Sequence, residues 1–220
     1  MPKRAVLFDF DGTLADSFAP IAASTNYVRQ KFGLPSLPES EVRSFVGLGL
    51  AYLLQKLVPS APTEEAIALY RTHHEQVMLT QTKLMPGVAE TLPELARRGF
   101  RQGVCSNKRV EFTLQLVDVL GLAPYFNCVL GPEDVGDRPK PDPSMLLEGL
   151  KRLEVSRDEA VYVGDMSIDV HTAKSAGVTV WIVPGGAEGQ ESASSAGPDR
   201  VLTGFAEMLE LLPGPVHHRS

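Results

Sequence analysis

Residues 5–14 read AVLFDFDGTL, and this stretch decides the fold. Four apolar residues in a row, Ala5–Phe8, end abruptly at Asp9, and a second carboxylate follows at Asp11. A short apolar run without alternation is typical of a strand that is buried on both faces, as in a parallel sheet. Because open parallel sheets bind ligands at the carboxyl ends of their strands, the stretch predicts a strand that leads directly into a chemical site.

Patterns of buried strands recur along the chain and alternate with segments of helical period. Further apolar runs are interpreted as strands at Gly103–Cys105, Cys128–Leu130, Ala160–Val163 and Val178–Val183. Helix-like segments lie between them, at Pro86–Arg98, Val110–Leu120, Ser144–Leu153 and Ser167–Ala176. This alternation, with short connections, predicts an α/β fold with a doubly wound parallel sheet of the Rossmann-like type.

One region breaks the alternation. Between residues 16 and 83 no buried strand is predicted, and the helical spacing of apolar residues covers Ser17–Phe32, Ala51–Leu57 and Thr63–Thr80. We therefore expect a helical cap domain at residues 16–83, inserted into a core domain made of residues 1–15 and 84–220. The segment Pro184–Gly197 is rich in Gly, Ser and Ala and is predicted to be a loop.

The composition excludes several classes of function. With 27 acidic and 21 basic residues the net charge is −6, which argues against nucleic-acid binding and against binding to an anionic membrane. No apolar run approaches the roughly 18 residues of a membrane span, and the N-terminus is a poor signal peptide. We expect a cytoplasmic protein, a monomer or a homodimer, with Cys105 and Cys128 as buried thiols. The adjacent His217 and His218 near the C-terminus are expected to be frayed and to bind no metal.

Polar residues follow the predicted strands, at the edge where ligands are expected. A lysine that lies between two prolines, Lys140, is expected at the same edge. The full set is Asp9, Asp11, Ser106, Asn107, Lys108, Lys140, Asp165 and Asp169. Carboxylates packed together repel one another unless a cation lies among them. A ligand set of oxygen atoms without His or Cys favours a hard ion, Mg²⁺ before Ca²⁺.

The order of these residues resembles the motifs of the haloacid dehalogenase superfamily. The run Asp9–Leu14 is similar to its DxDGT signature, and the second, third and fourth motifs are matched by Ser106, Lys140 and Gly164-Asp165 with Asp169. The resemblance covers essentially the whole chain, since the helical insertion lies where that superfamily has its C1 cap. The Asn-Lys after Ser106 and the prolines around Lys140 are similar to those of Mg²⁺-dependent phosphatases, phosphoglycolate phosphatases above all.

The resemblance implies a phosphatase that forms an aspartyl-phosphate on Asp9, with Asp11 as general acid and base. It implies that Mg²⁺ is held by Asp9, the backbone carbonyl of Asp11 and Asp165, and by Asp169 either directly or through water. It also implies a phosphate site made of Ser106, Asn107, Lys140 and Gly12.

The cap offers a candidate substrate-binding loop at residues 45–50. Gly47 and Gly49 allow a close approach of the backbone, and Arg43 just before them is a candidate partner for a substrate carboxylate. The alternative is a plain connection between helices with an exposed arginine. His73 and His74 are expected to be packing or surface residues. A short cap loop suits a small phosphate ester, and the resemblance to phosphoglycolate phosphatases implies 2-phosphoglycolate as the first candidate.

Other functions stay open. An inorganic pyrophosphatase, a sugar-phosphate phosphatase or a phosphomutase of the same superfamily would keep the core residues and differ in the cap. A haloacid dehalogenase lacks the second acid, so Asp11 favours chemistry at phosphorus. From other classes, a phosphorelay receiver would be shorter and lack the insertion, and a protein that only binds phosphorylated ligands is a further alternative.

Overall fold

The computed structural model describes residues 2–213, so the expectation for His217 and His218 lies outside the described residues. The strands are β1 Ala5–Phe8, β2 Ala15–Asp16, β3 Lys83–Leu84, β4 Arg101–Cys105, β5 Cys128–Leu130, β6 Ala160–Gly164, β7 Thr179–Ile182 and β8 Arg200–Val201. The helices are α1 Phe18–Lys31, α2 Glu39–Arg43, α3 Leu50–Leu57, α4 Thr63–Gln81, α5 Val88–Arg97, α6 Val110–Val119, α7 Ser144–Arg152, α8 Ser167–Ala176, α9 Gln190–Ser195 and α10 Glu207–Leu211. None of the helices in this range combines the length and the apolar character needed to cross a membrane.

Six strands form one parallel sheet in the order β5-β4-β1-β6-β7-β8. β1 pairs with β4 on one side and with β6 on the other, so that Phe8 is aligned with both Val104 and Val163. From β1 the chain builds β4 and β5 on one side and then crosses to β6, β7 and β8 on the other. The strand order reverses at β1, and the crevice at such a reversal is where open α/β sheets bind ligands. The predicted doubly wound sheet is confirmed.

The residues of β1 alternate between two apolar clusters, one on each face of the sheet. Val6 and Phe8 pack with residues of α5 and α6, whereas Ala5 and Leu7 pack with residues of α7 and α8. All four are completely buried. Full burial of a side chain as large as Phe8 contributes roughly 1.5–3 kcal/mol. The strand that carries Asp9 is therefore held by packing on both faces.

A two-stranded antiparallel ribbon joins the core to the inserted helices. In it β2 and β3 pair Ala15 with Leu84 and Asp16 with Lys83. Helices α1 to α4 pack around an apolar cluster of their own, which includes Phe18 and Leu54. The helices thus lie where a cap was expected, and the predicted domain boundaries, at residues 15/16 and 83/84, fall inside the ribbon and stay a prediction.

The predicted helices and the strands of the sheet match the observed ones to within two residues, and the differences concern short elements. Helix α9 lies inside the segment 184–197 that was predicted to be a loop. Its sequence, QESASS, has no apolar stripe, although Ala193 is buried. Helices α2 and α10 and strand β8 span two to five residues each, which is too short for a hydrophobic period to be recognised.

The two cysteines are free and buried, as predicted. Burial raises the pKa of Cys128 to about 11 and that of Cys105 well above its usual value. Both are therefore protonated thiols at neutral pH and act as small apolar residues of the core.

Candidate active site

Three buried carboxylates meet at the carboxyl edge of the sheet. Asp9 follows β1, Asp165 follows β6, and Asp169 lies in the first turn of α8. One oxygen of each lies within 4.8 Å of the others, and none of the three residues is more than 2% exposed. Because water cannot screen these charges, they repel one another unless cations lie among them.

Lys140 supplies a positive charge to this cluster. Its Nζ lies 2.9 Å from Asp9 Oδ2 and 2.7 Å from Asp169 Oδ1. Burial opposes the charge on Lys140, but Asp169 and Asp9 outweigh burial and raise the pKa of the lysine. Lys140 is therefore an ammonium ion, and with all three carboxylates ionised the four groups carry a net charge of −2.

The two oxygens of Asp9 have different surroundings. Oδ2 is bound by Lys140, whereas Oδ1 is buried and has no hydrogen-bond partner among residues 2–213. Burial raises the pKa of Asp9 to about 6, against the opposing effect of Lys140. The hydroxyl of Ser106, which is buried at the end of β4, lowers this pKa. Since an unpartnered buried oxygen is costly, Oδ1 marks a place where a cation or a reacting atom fits.

Asp165 lies in a cradle that depends on two glycines. Its Oδ1 accepts a hydrogen bond from Thr13 Oγ1 at 2.8 Å, and its Oδ2 accepts one from the N–H of Ala187 at 2.8 Å. A Cβ on Gly186 would lie 1.9 Å from Oδ2, and a Cβ on Gly12, whose φ is +83°, would lie 2.6 Å from it. Neither position can carry a side chain unless Asp165 moves.

Both oxygens of Asp169 are bound by the protein. Oδ1 accepts hydrogen bonds from Lys140 Nζ and, at 3.1 Å, from the Tyr162 hydroxyl. Oδ2 accepts them from the N–H groups of Asp165 and Met166 at 3.1 and 3.0 Å. Asp169 thus ties Lys140 to the loop that carries Asp165. Asp169 is expected to contact the metal either directly or through water. Because both of its oxygens already accept hydrogen bonds from the protein, this arrangement favours the contact through water.

The donor set of the cluster fits a hard divalent cation. Asp9 and Asp165 offer carboxylate oxygens, one of them without a partner in the described residues, and the net charge of −2 that the cluster carries when its carboxylates are ionised matches such an ion. Sites made of oxygen ligands alone suit hard divalent cations such as Mg²⁺, Ca²⁺ and Mn²⁺. Asp9 and Asp165, with Asp169 behind them, would hold the ion, and the backbone carbonyl of Asp11 is the remaining expected ligand.

Asn107 joins the loop of Lys140 to the cap. Its Nδ2 donates to the carbonyls of Gly47 and Lys140 at 3.0 and 3.3 Å, and its Oδ1 accepts from the N–H of Lys140 at 2.6 Å. The amide atoms are therefore occupied with positioning Lys140 and Gly47. A phosphate contact by Asn107 stays a prediction, as do those of Ser106 and Gly12.

Asp11 lies where the cap meets the core. Its Oδ1 accepts a hydrogen bond from Ser17 Oγ at 2.5 Å and another from Lys108 Nζ at 3.2 Å. Ser17 directly precedes the first cap helix, whereas Lys108 follows β4 of the core. The second acid is thus held by donors on both sides of the border between the domains.

His74 was expected to be a packing or surface residue, and the structure places it beside this pair. Its Nε2 lies 3.5 Å from Lys108 Nζ, and its Nδ1 lies 3.2 Å from Ser24 Oγ. Burial and, next, the charge of Lys108 lower the pKa of His74 to about 3, so the ring is neutral and can accept a hydrogen bond from Lys108. The signal that identifies such a residue is the buried stripe of α4 at every fourth position: Ala66, Tyr70, His74 and Met78.

Arg43 fastens the cap to the core. Its Nη2 and Nε donate to the carbonyl of Gly186 at 2.8 and 3.2 Å, Nη2 also donates to the carbonyl of Gly185, and the guanidinium lies 3.9 Å from the ring centre of Phe18. The observed partners are thus backbone carbonyls of the core, next to the cradle of Asp165. A contact between Arg43 and a substrate carboxylate stays a prediction.

A cavity of about 340 Å³ lies between cap and core, next to Asp11. The residues that line it on the core side include Lys108 and Phe112, and on the cap side Gly47, Tyr70, Arg71 and His74. Gly47 is thus beside the cavity, as expected, whereas Arg43 is not among the residues that line it.

Comparisons with known proteins agree with this fold. The family model described as haloacid dehalogenase-like hydrolase matches residues 6–183. A phosphoglycolate phosphatase of Aquifex aeolicus is 30% identical over 213 residues, which cover 95% of this chain and 96% of the relative.

Solved structures share the whole architecture. A predicted phosphoglycolate phosphatase of Haemophilus somnus has a TM-score of 0.86 at 25% identity, over 95% of this chain and 97% of that one. A HAD family hydrolase of Deinococcus radiodurans, solved with bound phosphate and sodium, has a TM-score of 0.76 at 28% identity, over 96% of this chain and 95% of that one. Since the family match spans most of the chain, the chain belongs to the haloacid dehalogenase-like hydrolase family and is an enzyme of the hydrolase class.

Proposed function

We propose that this enzyme hydrolyses a small organic phosphate monoester, 2-phosphoglycolate in first place, with Mg²⁺ and through an aspartyl-phosphate on Asp9. The observation that carries the proposal is the pair of Asp9 oxygens. Lys140 fixes Oδ2, whereas Oδ1 is buried and unpartnered within the described residues. A carboxylate held in this way can present one oxygen to phosphorus.

In the first half-reaction an oxygen of Asp9 forms a bond to phosphorus, and the bond from phosphorus to the substrate oxygen breaks. Asp11 gives its proton to the departing oxygen, which leaves as an alcohol. Ser17 and Lys108 hold the carboxyl group of Asp11 in place for this transfer. Lys140 offsets the negative charge around Asp9 during the attack.

In the second half-reaction a water molecule attacks phosphorus of the aspartyl-phosphate, and Asp11 takes the proton that the water loses. The bond between Asp9 and phosphorus breaks, so that the Asp9 carboxylate and inorganic phosphate are restored. A bound Mg²⁺ would neutralise charge between the carboxylates and the phosphoryl oxygens.

The size of the cavity and the comparisons support a small substrate. A volume of about 340 Å³ is at the lower end of the range for ligand sites, roughly 300–1,000 Å³. The Aquifex relative is named a phosphoglycolate phosphatase, and the Deinococcus structure contains phosphate. A pyrophosphatase, a sugar-phosphate phosphatase or phosphomutase, and a protein that binds phosphorylated ligands without turnover are the alternatives that the test must separate.

The test is phosphate release from 2-phosphoglycolate, glucose 6-phosphate and pyrophosphate, with Mg²⁺ and with a chelator. We expect the highest kcat/KM for 2-phosphoglycolate, no activity in chelator, and recovery with Mg²⁺ but little with Ca²⁺. Asp9→Asn should lower kcat by about 10⁴-fold or more, because the nucleophile is lost. Rapid acid quenching of the wild type should leave phosphate on the peptide that contains Asp9.

Asp118→Asn, the same change at an exposed position of α6, is the matched control and should keep full activity. Residual activity of Asp9→Asn near that of the control would refute the nucleophile. Release from pyrophosphate alone would make the enzyme a pyrophosphatase, and no release from any compound would leave a binding protein.

A further inference from the structure

We propose that Arg71 binds a carboxylate of the substrate and thereby makes this enzyme selective for small phosphate esters that also carry a carboxylate. The proposal rests on the proposed phosphatase function and names the group that the cap recognises.

Arg71 carries a charge that the protein leaves uncompensated. It lies on α4, one helical turn before His74, and lines the cavity. The residue is half-buried, its Nε is buried without a hydrogen-bond partner, and the guanidinium makes no ion pair within residues 2–213. Because a guanidinium keeps its proton in proteins, a half-buried positive charge faces this space.

The other cations that line the cavity already have partners. Lys108 Nζ lies 3.2 Å from Asp11, and Arg109 Nε lies 3.3 Å from Glu111. The carboxylates of Glu133 and Asp137 also line the cavity, but both residues are exposed, so water screens them. Among the described lining residues, Arg71 is thus the cation that is left for a ligand.

The neighbouring side chains complete a site for a small acid. Tyr70 is buried and lines the same cavity, and its hydroxyl makes no hydrogen bond within the described residues. Burial and, next, the charge of Asp11 raise the pKa of Tyr70 well above its usual value, so the group remains a donor. Apolar walls come from Ile67 and Phe112. A planar guanidinium matches the two oxygens of a carboxylate, and a hydroxyl can donate to either.

The charge of the site favours a carboxylate over a second phosphate group. A carboxylate carries one negative charge, which Arg71 matches. A second phosphate group carries up to two, and the neighbouring Lys108 and Arg109 are engaged elsewhere. We therefore place the reacting phosphate at Asp9 and the carboxylate of the same small molecule at Arg71.

The test compares Arg71→Met with the wild type on 2-phosphoglycolate and on ethyl phosphate, which lacks the carboxylate. Arg71→Met should lower kcat/KM for 2-phosphoglycolate about 10- to 100-fold, mainly through KM, because charge-assisted hydrogen bonds are lost. Ethyl phosphate should change by no more than about twofold. Arg71→Lys should recover part of the loss, since it keeps the charge without the planar fork.

Arg97→Met is the matched control, because Arg97 on α5 is paired with Glu94 and is not among the residues that line the cavity; both substrates should change by less than about twofold. Equal losses on both esters in Arg71→Met, or no loss on either, would overturn the carboxylate site while leaving the phosphatase function intact.

Calorimetry separates the two proposals. In the Asp9→Asn variant, which is expected not to turn over, adding Arg71→Met should weaken binding of 2-phosphoglycolate about 10-fold or more and leave binding of ethyl phosphate unchanged. If no ester is hydrolysed, the phosphatase function fails and this binding difference alone decides on Arg71.

Discussion

Two lysine–aspartate groups lie on the same edge of the sheet, and they are built differently. Lys140 contacts Asp9 and Asp169, all from the core, and none of these side chains is more than 3% exposed. Lys108 contacts Asp11 with side chains that are 7% and 11% exposed, and its other neighbour, His74, belongs to the cap.

The difference separates a part of the site that the core fixes alone from a part that needs both domains. The partners of Lys140 are held by β1 and α8, whichever position the cap takes. The surroundings of Lys108 are complete only while α4 lies against the core, because His74 comes from α4. The position of Asp9 therefore depends on the sheet, whereas that of Asp11 depends on the contact between cap and core.

The largest effect is expected for Lys140→Met. The change leaves Asp9 and Asp169 buried without their common cation, which should lower the free energy of unfolding in chelator by about 3–5 kcal/mol. It should also lower kcat/KM in Mg²⁺ by about 10²- to 10³-fold, because a preorganised charge next to the proposed nucleophile, Asp9, is lost. Urea unfolding and phosphate release measure the two effects.

Lys151→Met is the matched control for this change. Lys151 Nζ lies 3.6 Å from Glu148, and the lysine side chain is 80% exposed. Exposed ion pairs contribute about 0–1 kcal/mol, so this variant should stay within about 0.5 kcal/mol of the wild type. Equal losses in the two variants would mean that the buried cluster does not depend on Lys140.

The core end of the site could be predicted because its positions follow from local patterns. Asp9 and Asp165 stand at the ends of apolar runs, and the ends of such runs coincide with the ligand-binding edge of a parallel sheet. The fold and the family could be predicted from the same local patterns, and both predictions are confirmed. The hydrogen bond from Lys140 to Asp169 could not be predicted. It joins residues that are 29 positions apart, and it depends on how the loop that carries Lys140 folds back on the sheet.

A smaller effect is expected for Lys108→Met, and it should appear in the rate rather than in stability. Asp11 would lose a charge-assisted hydrogen bond that holds its carboxyl group in place and contributes about 1.5–3 kcal/mol. The value of kcat for 2-phosphoglycolate should therefore fall about 10- to 100-fold. The loss should be smaller for p-nitrophenyl phosphate, whose leaving group needs no proton. Lys108→Arg keeps the charge and should lose less. Equal losses on both esters would contradict a role of Lys108 in proton transfer by Asp11.

The cap end of the site was beyond the reach of local patterns. Arg43 is a candidate from the sequence because it precedes a glycine loop, with a plain connection between helices as the alternative, and in the structure its guanidinium binds the carbonyls of Gly185 and Gly186. Arg71 stands in no motif and lines the cavity. Which arginine reaches the cleft depends on how the cap docks on the core, and that docking joins residues 143 positions apart.

The smallest effect is expected for His74→Gln, in the response of stability to acid. The pKa of His74 is about 3 in the folded protein, against about 6.5 for a histidine in the unfolded chain. Below pH 6.5 the unfolded state therefore gains a proton that the folded state does not, so stability that is present above pH 6.5 is lost as the pH falls. Between pH 7.5 and 5.5 the wild type should lose about 1.4 kcal/mol through this group. The variant, which keeps an acceptor for Lys108 but binds no proton, should not lose it.

Urea unfolding at the two pH values measures this difference, and His171→Gln is the matched control because His171 is exposed on α8. The control should lose as much free energy on acidification as the wild type, because it leaves His74 in place. If His74→Gln behaved like the control, His74 would be protonated in the folded protein. A protonated ring could not accept a hydrogen bond from Lys108, and the contact of Asp11 with Lys108 would then be independent of the cap, which would remove the difference between the two lysine–aspartate groups.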